Sequence, residues 1–489
     1  MKVLLINSKA LHAKHKAAMP LGLLSIAKYL TDNGHTVKLY DRAVETYGLK
    51  KYLDSFCPDF VGISVLSVKR FRDAINLSKT IKARNIPVVW GGQIPSAIPE
   101  LVLKSGVVDY VVVGEGETTF LELLNAVSEK TPLRDINGLA FLEDGEPVVN
   151  KGRAFADLAE LPVLDFSFVD PEKYFISYIN CKKMLHLYAS KGCPCKCYYC
   201  YNHCFHKHLW RARPTEYFLS EIKYLVENHG MDGVCFVDDL FGPNQEYVKD
   251  VCEKIIQSNI NFVWGCNMRS DTCNKEELQL MYKAGCRWIL FGIESGSKER
   301  QKIIGKNLDL DKTKEVVNYC RKIGIFVSST FILGYPDETE EELKETIKYM
   351  LEINTNTKYP NFIGVLPKSE LYEKMVKIGR LEIPRSYMQW EKLKMWDQLG
   401  KNYSRIPDKE LKVVSACFSW WDLFIKYPNP DDGKESRVIF KRAVLQTLDI
   451  FKRGTFYSMR LLIIAAKELI QIFYYAKMFP KIRKKYGLQ

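Results

Sequence analysis

The chain has 489 residues, of which 47% are hydrophobic, 12% aromatic and 26% charged. That is roughly two to four ordinary domains, with too much apolar material for a disordered chain. The net charge of +13 is concentrated near the C-terminal end, where from Lys441 onward eleven basic residues face only Asp449 and Glu468, a local excess of +9. The nearly balanced remainder argues against a nucleic-acid partner held by a basic face throughout.

Fourteen cysteines would suit a secreted disulfide framework, but MKVLLINSK runs straight into a strand-like segment without an apolar leader. A cytoplasmic location with reduced thiols is therefore expected. Five of the thiols (Cys193, Cys195, Cys197, Cys200 and Cys204) fall within twelve residues, a density that reads as metal binding in that compartment.

Short apolar, β-branched runs at 3–6, 36–40, 60–65, 87–90 and 110–113 alternate with helical-period segments such as 21–31 and 71–84. Five such units predict an α/β fold with a doubly wound parallel sheet over residues 1–130. Its ligand crevice would lie at the strand carboxyl ends, which carry Ser64 and Ser67, Gly91, Gly92 and Gln93, and Gly114 and Glu115. Glycines there let a large ligand approach the backbone, and they also suit plain β-α turns. No GxGxxG follows the first strand, which disfavours a dinucleotide.

Residues 131–183 read as a connector containing a hairpin at 139–149 that turns at Asp144-Gly145, then an irregular stretch, LAELPVLDFSFVDPEKYF. A second series follows, with candidate strands at 185–189, 233–237, 262–266, 288–292, 327–333 and 362–366. Six parallel units over 184–380 predict a partial (β/α)6 barrel with its chemistry at the strand carboxyl ends. Beyond that, 381–489 reads as helical and Trp-rich (Trp390, Trp396, Trp420, Trp421).

The cysteine cluster begins at the end of the first barrel strand. In SKGCPCKCYYC, Cys193, Cys197 and Cys200 have the spacing C-x3-C-x2-C. Three thiolates on one short loop can hold three irons of a cubane 4Fe-4S cluster and leave the fourth iron open to a small molecule. Zinc is the alternative, usually bound by two pairs of ligands, and His203, His206 and His208 keep it open. Cys195 and Cys204 leave the ligand register ambiguous and read more simply as spare thiols.

At these residues the chain resembles the radical S-adenosylmethionine superfamily. Tyr199 stands just before the last cysteine, and VDDLF (237–241), CNMR (266–269), FGIESGS (291–297) and FILGYPDET (331–339) follow in the family's order. The sheet in front, with GGQIPS and VVGEGE at its strand ends, resembles the cobalamin-binding domain of the branch that includes the anaerobic Mg-protoporphyrin monomethyl ester oxidative cyclase. The resemblance implies that Cys193, Cys197 and Cys200 ligate a 4Fe-4S cluster. It implies S-adenosyl-L-methionine contacts for Tyr199, Asp238, Asp239, Arg269, Glu294, Ser295 and Gly334, with the aspartates meeting the methionine ammonium and Arg269 a carboxylate. Simpler roles are a helix cap for Asp239, an Arg269–Glu294 ion pair and a turn at Gly334.

Cobalamin would meet Ser64, Ser67, Gly91, Gly92, Gln93, Gly114 and Glu115. The Asp-x-His-x-x-Gly loop of methionine-synthase-type domains is missing, because NSKALHAKHKAAMPLG holds His12 and His15 out of that pattern. The expected cobalt therefore lacks a histidine ligand.

The resemblance implies methylation of a poorly activated carbon through a 5'-deoxyadenosyl radical and methylcobalamin, with a ferredoxin or flavodoxin as reductant. A radical oxidative cyclisation or rearrangement without methyl transfer is the second reading, and a non-catalytic zinc module docking on membrane or nucleic acid a third. Methylthiotransfer is disfavoured, since only Cys57 precedes Cys181 and a second cluster lacks ligands. In the tail, Leu461, Leu462, Ala465, Leu469, Ile472 and Phe473 recur at helical spacing beside Arg460, Lys467, Lys477 and the basic run at 481–485. Such a helix suits a peripheral site on an anionic membrane, with a hydrophobic small-molecule substrate, and equally a helix packed on the barrel.

Overall fold

The structure is a computed structural model and describes residues 1–10, 17–45, 48–179, 181–386, 389, 402–424, 478, 480–482 and 484–487. The first five apolar runs form β1 (Lys2–Asn7), β2 (Thr36–Asp41), β3 (Phe60–Ser64), β4 (Val88–Gly91) and β5 (Tyr110–Val112), all parallel, in the order β2-β1-β3-β4-β5. Val3, Leu4, Leu5 and Ile6 of β1 are all buried, as a strand covered on both faces requires. The order reverses at β1, so a crevice opens beyond the carboxyl ends of β1 and β3.

The connector is divided between the two sheets. Its hairpin, β6 (Leu139–Glu143) and β7 (Glu146–Val149), continues the first sheet antiparallel to β5. Its far end supplies β8 (Ile176–Tyr178), an antiparallel edge for the second sheet. That sheet runs β16-β15-β14-β13-β12-β9-β8, built from β9 (Cys181–Leu187), β12 (Gly233–Phe236), β13 (Val263–Met268), β14 (Cys286–Glu294), β15 (Phe326–Leu333) and β16 (Thr357–Phe362). Its strands β9 and β12 to β16 are parallel, an open partial barrel. A separate short ribbon pairs β10 (Ser190–Gly192) with β11 (Trp210–Ala212).

The sixth barrel strand lies earlier than the expected 362–366. Thr357–Phe362 contains Pro360, which argues against a central strand, but β16 is an edge strand and tolerates the missing donor. Within the sheet, a Cβ on Gly265 would lie 2.1 Å from the Trp288 indole nitrogen, so a side chain at this β13 position would have to displace that ring.

One apolar core runs from Leu5, Leu24 and Phe120 of the first unit through Leu164, Phe166 and Tyr174 to Leu187, Phe236 and Phe331 of the barrel. Polar ties reinforce the passage. Tyr174 donates to Asp41 at 2.9 Å, and Leu164 N donates to Glu221, which also holds Arg213 through two buried hydrogen bonds of 2.5 and 3.0 Å.

The helix Asp408–Phe424, which includes Trp420 and Trp421, lies against β16, and Ser415 donates to Pro360 O at 2.6 Å. Trp390, Trp396 and the tail residues 447–477 lie outside the described residues. In the described end of the basic run, Lys485 is paired with Glu340 and Glu410 at 2.9 and 3.0 Å. Among the described residues no helix is long and apolar enough to cross a membrane.

Removing one partner of a buried ion pair leaves the other charge unsatisfied. Glu221→Ala should therefore destabilise the chain by about 3–5 kcal/mol, and Glu221→Gln, which keeps an acceptor for Leu164 N, by less. Thermal unfolding checks the order, and equal melting temperatures for parent and Ala variant would sink it.

Candidate active site

The β10–β11 ribbon closes the base of the cysteine loop, and the end of β12 holds it in place. Asp238 accepts from Ala189 N at 2.9 Å and from the Ser190 hydroxyl at 2.5 Å, while Asp239 accepts from Gly192 N at 3.0 Å and from the Tyr201 hydroxyl. Gly192 has φ +87°, and a Cβ there would come within 2.0 Å of Leu209 O. The far side of the loop is held by Tyr198 N, which donates to Ile304 O at 3.1 Å, and by Gly305, where a Cβ would come 2.5 Å from Lys196 O.

Cys197 is buried, and Cys193, Cys195 and Cys200 are half-buried. The Cys195 thiol is lowered by its hydrogen bond with Cys193 and then by the nearby Arg269 and Lys306 cations. Burial raises Cys197, against the same two cations, and pushes Cys200 up to about 12. Cys204 is turned away, its Sγ 3.0 Å from Tyr201 O and 3.7 Å from Pro367 O. The histidines are not gathered with the thiols: His203 and His208 pair at 3.0 Å, and His206 faces Asp239. Among the described residues no three Cys, His, Asp or Glu side chains converge as on a single metal ion. Thiols on one loop beneath two cations form a donor set that fits the separated iron corners of a cubane cluster.

The next strand ends complete a charged pocket beside this loop. Arg269, after β13, donates to both carboxylate oxygens of Asp271 (2.6 and 2.9 Å) and to Lys306 O (2.8 Å). Arg269 and Glu294 thus do not pair with each other. The β14–β15 register shifts between Gly292 and Glu294, and Glu294 has φ +69°. This bulge places its carboxylate with Lys306 Nζ at 3.3 Å and Thr330 Oγ1 at 3.2 Å. The Ser295 hydroxyl is engaged with Thr346 at 3.0 Å. Gly334 has φ +82° and accepts from Tyr403 N, and a Cβ there would lie 3.1 Å from Asn402. Tyr199 packs near Tyr335, with ring centroids 6.3 Å apart. Lys306, Asp271 and Thr330 are members that the sequence reading missed. The only signal for Lys306 is Gly305-Lys306-Asn307, whose outer residues both have positive φ.

At the crevice of the first sheet lies a cavity of about 390 Å³ walled by Leu5, Leu23, Val89 and Phe120 and by the strand-end glycines. Ser64, Gly91, Gly92, Gln93, Gly114 and Glu115 all belong to its wall, whereas Ser67 precedes the turn Val68–Arg70 outside it. Gly92 has φ +106°, and a Cβ there would come 3.0 Å from Val65 O. His12 and His15 lie outside the described residues.

Lys191, Phe205 and His206 of the barrel complete the wall. Arg211 donates to both oxygens of Glu115 at 2.6 and 3.1 Å, and Lys191 lies 3.5 and 3.7 Å from Glu115 and Glu117. An apolar, glycine-edged slot that opens onto a polar, charge-balanced wall fits cobalamin, which has both an apolar ring body and many polar side groups.

Burial pushes Asp238 up to about 7, against about 3.9 in an unfolded chain. Its contribution to stability is therefore full below about pH 4 and lost as the pH rises through about 7. Asp238→Asn cannot ionise, so the melting-temperature advantage of the parent over this variant should shrink between pH 4 and 8. A difference independent of pH would show an ordinary carboxyl.

Residues 187–350 match the radical SAM superfamily and residues 15–124 the B12 binding domain. An uncharacterized methyltransferase of Pyrococcus horikoshii is 28% identical over 439 residues, covering 88% of this chain and 94% of its own. The anaerobic magnesium-protoporphyrin IX monomethyl ester cyclase of Synechocystis is 26% identical, covering 68% of each. The fold is that of the radical S-adenosylmethionine methyltransferase TsrM from Kitasatospora setae, with TM-score 0.67 and 16% identity over 90% of this chain and 99% of that one. The chain thus carries a radical SAM domain behind a B12-binding domain, and it is an enzyme whose cofactors are a 4Fe-4S cluster, S-adenosylmethionine and cobalamin.

Proposed function

We propose that this enzyme is a C-methyltransferase acting on a poorly activated carbon of a small, hydrophobic molecule, with a ferredoxin or flavodoxin as reductant. The observation that carries this reading is the shared wall: the cavity of the first sheet is closed by Lys191, Phe205 and His206, which flank or belong to the cysteine loop. A methyl carrier in that cavity is the immediate neighbour of the radical source. The long match to a methyltransferase, over 88% of the chain, supports the same choice.

Cys193, Cys197 and Cys200 are the residues that would hold the cluster. Arg269 and Lys306 supply the positive charge that orients a carboxylate of S-adenosylmethionine, and Glu294 an acceptor for its ammonium or hydroxyl groups. Asp238 and Asp239 act one step removed, because their carboxylates already hold the cysteine loop. Tyr199 and Gly334 shape the pocket, and Ser295, engaged with Thr346, supports it from behind. When bound, the cluster supplies the electron that cleaves S-adenosylmethionine, and cobalamin carries the methyl group.

Anaerobically reconstituted protein should hold about four irons, as one cubane cluster requires. Cys193→Ala, Cys197→Ala and Cys200→Ala should each lose the cluster, while Cys195→Ala and Cys204→Ala keep it. Indispensable Cys195 would move the ligand register. In turnover with methyl-deuterated S-adenosylmethionine, methylation requires labelled product, 5'-deoxyadenosine and S-adenosylhomocysteine in equal amounts. An unlabelled product that has lost two hydrogens, without S-adenosylhomocysteine, would mark a cyclase instead.

A further inference from the structure

His206 has hydrogen-bonding capacity that the fold leaves open. The residue is 6% exposed and lines the cavity between the two units, and its Nδ1 is buried without a hydrogen-bond partner among the described residues. Such an atom is costly in a native interior unless something else completes it.

The surroundings define what that partner must be. The ring packs on Phe205 and Phe155, with centroids 4.9 and 6.0 Å away, and its Cβ stands against Gly192. Nε2 faces Asp239 Oδ2 at 3.6 Å. A carboxylate on that side favours the tautomer with its proton on Nε2, which leaves a lone pair on Nδ1. Around the ring, Lys191 and Arg211 already balance Glu115 and Glu117. The wall therefore needs no further charge, and a neutral N–H donor suits the remaining acceptor. Primary carboxamides on the rim of a corrin ring offer such donors.

We propose that His206 is a positioning residue for the corrinoid, its Nδ1 accepting a hydrogen bond from a rim carboxamide and so tying the ring to the cysteine loop. This rests on the reading of the cavity as the cobalamin site. A lone pair also suits a cobalt ion, which is one of the outcomes the test separates.

The full chain is titrated optically with hydroxocobalamin as parent, His206→Asn, His206→Phe and His206→Leu. Asn places an acceptor oxygen near the position of Nδ1 and should bind within about twofold of the parent, while Phe and Leu should bind about three- to tenfold more weakly, the effect of one neutral hydrogen bond. A set of cobalamin monocarboxylic acids, each with one rim amide replaced by carboxylate, should contain one isomer that the parent binds more weakly and for which His206→Phe shows no such loss. Melting curves of the ligand-free variants identify a folding defect, and the Leu variant serves where Phe does not fold. Parent-like affinity in both apolar variants overturns the proposal. So does nitrogen superhyperfine splitting in the Co(II) paramagnetic resonance spectrum of the parent that disappears in the variants, because His206 would then be a cobalt ligand. A parent that binds no hydroxocobalamin loses the cobalamin site itself, a failure distinct from that of His206.

Discussion

Two neighbouring carboxylates beyond β12 determine where the cysteine loop stands. Asp238 is taken up by Ala189 N and the Ser190 hydroxyl, and Asp239 by Gly192 N and the Tyr201 hydroxyl. Tyr198 of the loop is buried and Tyr199 packs near Tyr335, while these hydrogen bonds fix the Cys193 end of the loop from the adjacent strand.

From this anchor the polar links continue to the first sheet. His206, which lines the cavity of that sheet, faces Asp239, and Arg211 of the ribbon holds Glu115. The crevice at the β1/β3 switch point thereby gains its fourth wall from the barrel. Two cofactor sites that must exchange a group need a fixed separation, and a continuous core with charge pairs at the rim supplies it more rigidly than a flexible linker would.

Local pattern made most of the architecture legible. The five parallel strands of the first sheet and five of the six parallel barrel strands stand where apolar β-branched runs placed them, within a few residues. The exceptions share a cause. Thr357–Phe362 is a strand despite Pro360 because it lies at an edge, and the hairpin Leu139 to Val149 joins the first sheet because β5 offers an unpaired edge. Neither edge is visible until strands are arranged in space.

The cysteine spacing, the glycine-rich strand ends and the order of the later motifs were properties of the chain itself, and they determined the kind of cofactor chemistry before any packing was known. Tertiary structure alone decided which groups engage one another. It turned Arg269 to Asp271 rather than to Glu294, brought Lys306 from an unremarkable turn to the thiols and Glu294, and placed Ser67 outside the crevice. It also set Lys191 and His206 of the barrel into the wall of the first sheet's cavity. Spacing along a chain reports which residues can share a loop, whereas ion pairs and cavity walls depend on distances across strands and domains that only the packed core defines.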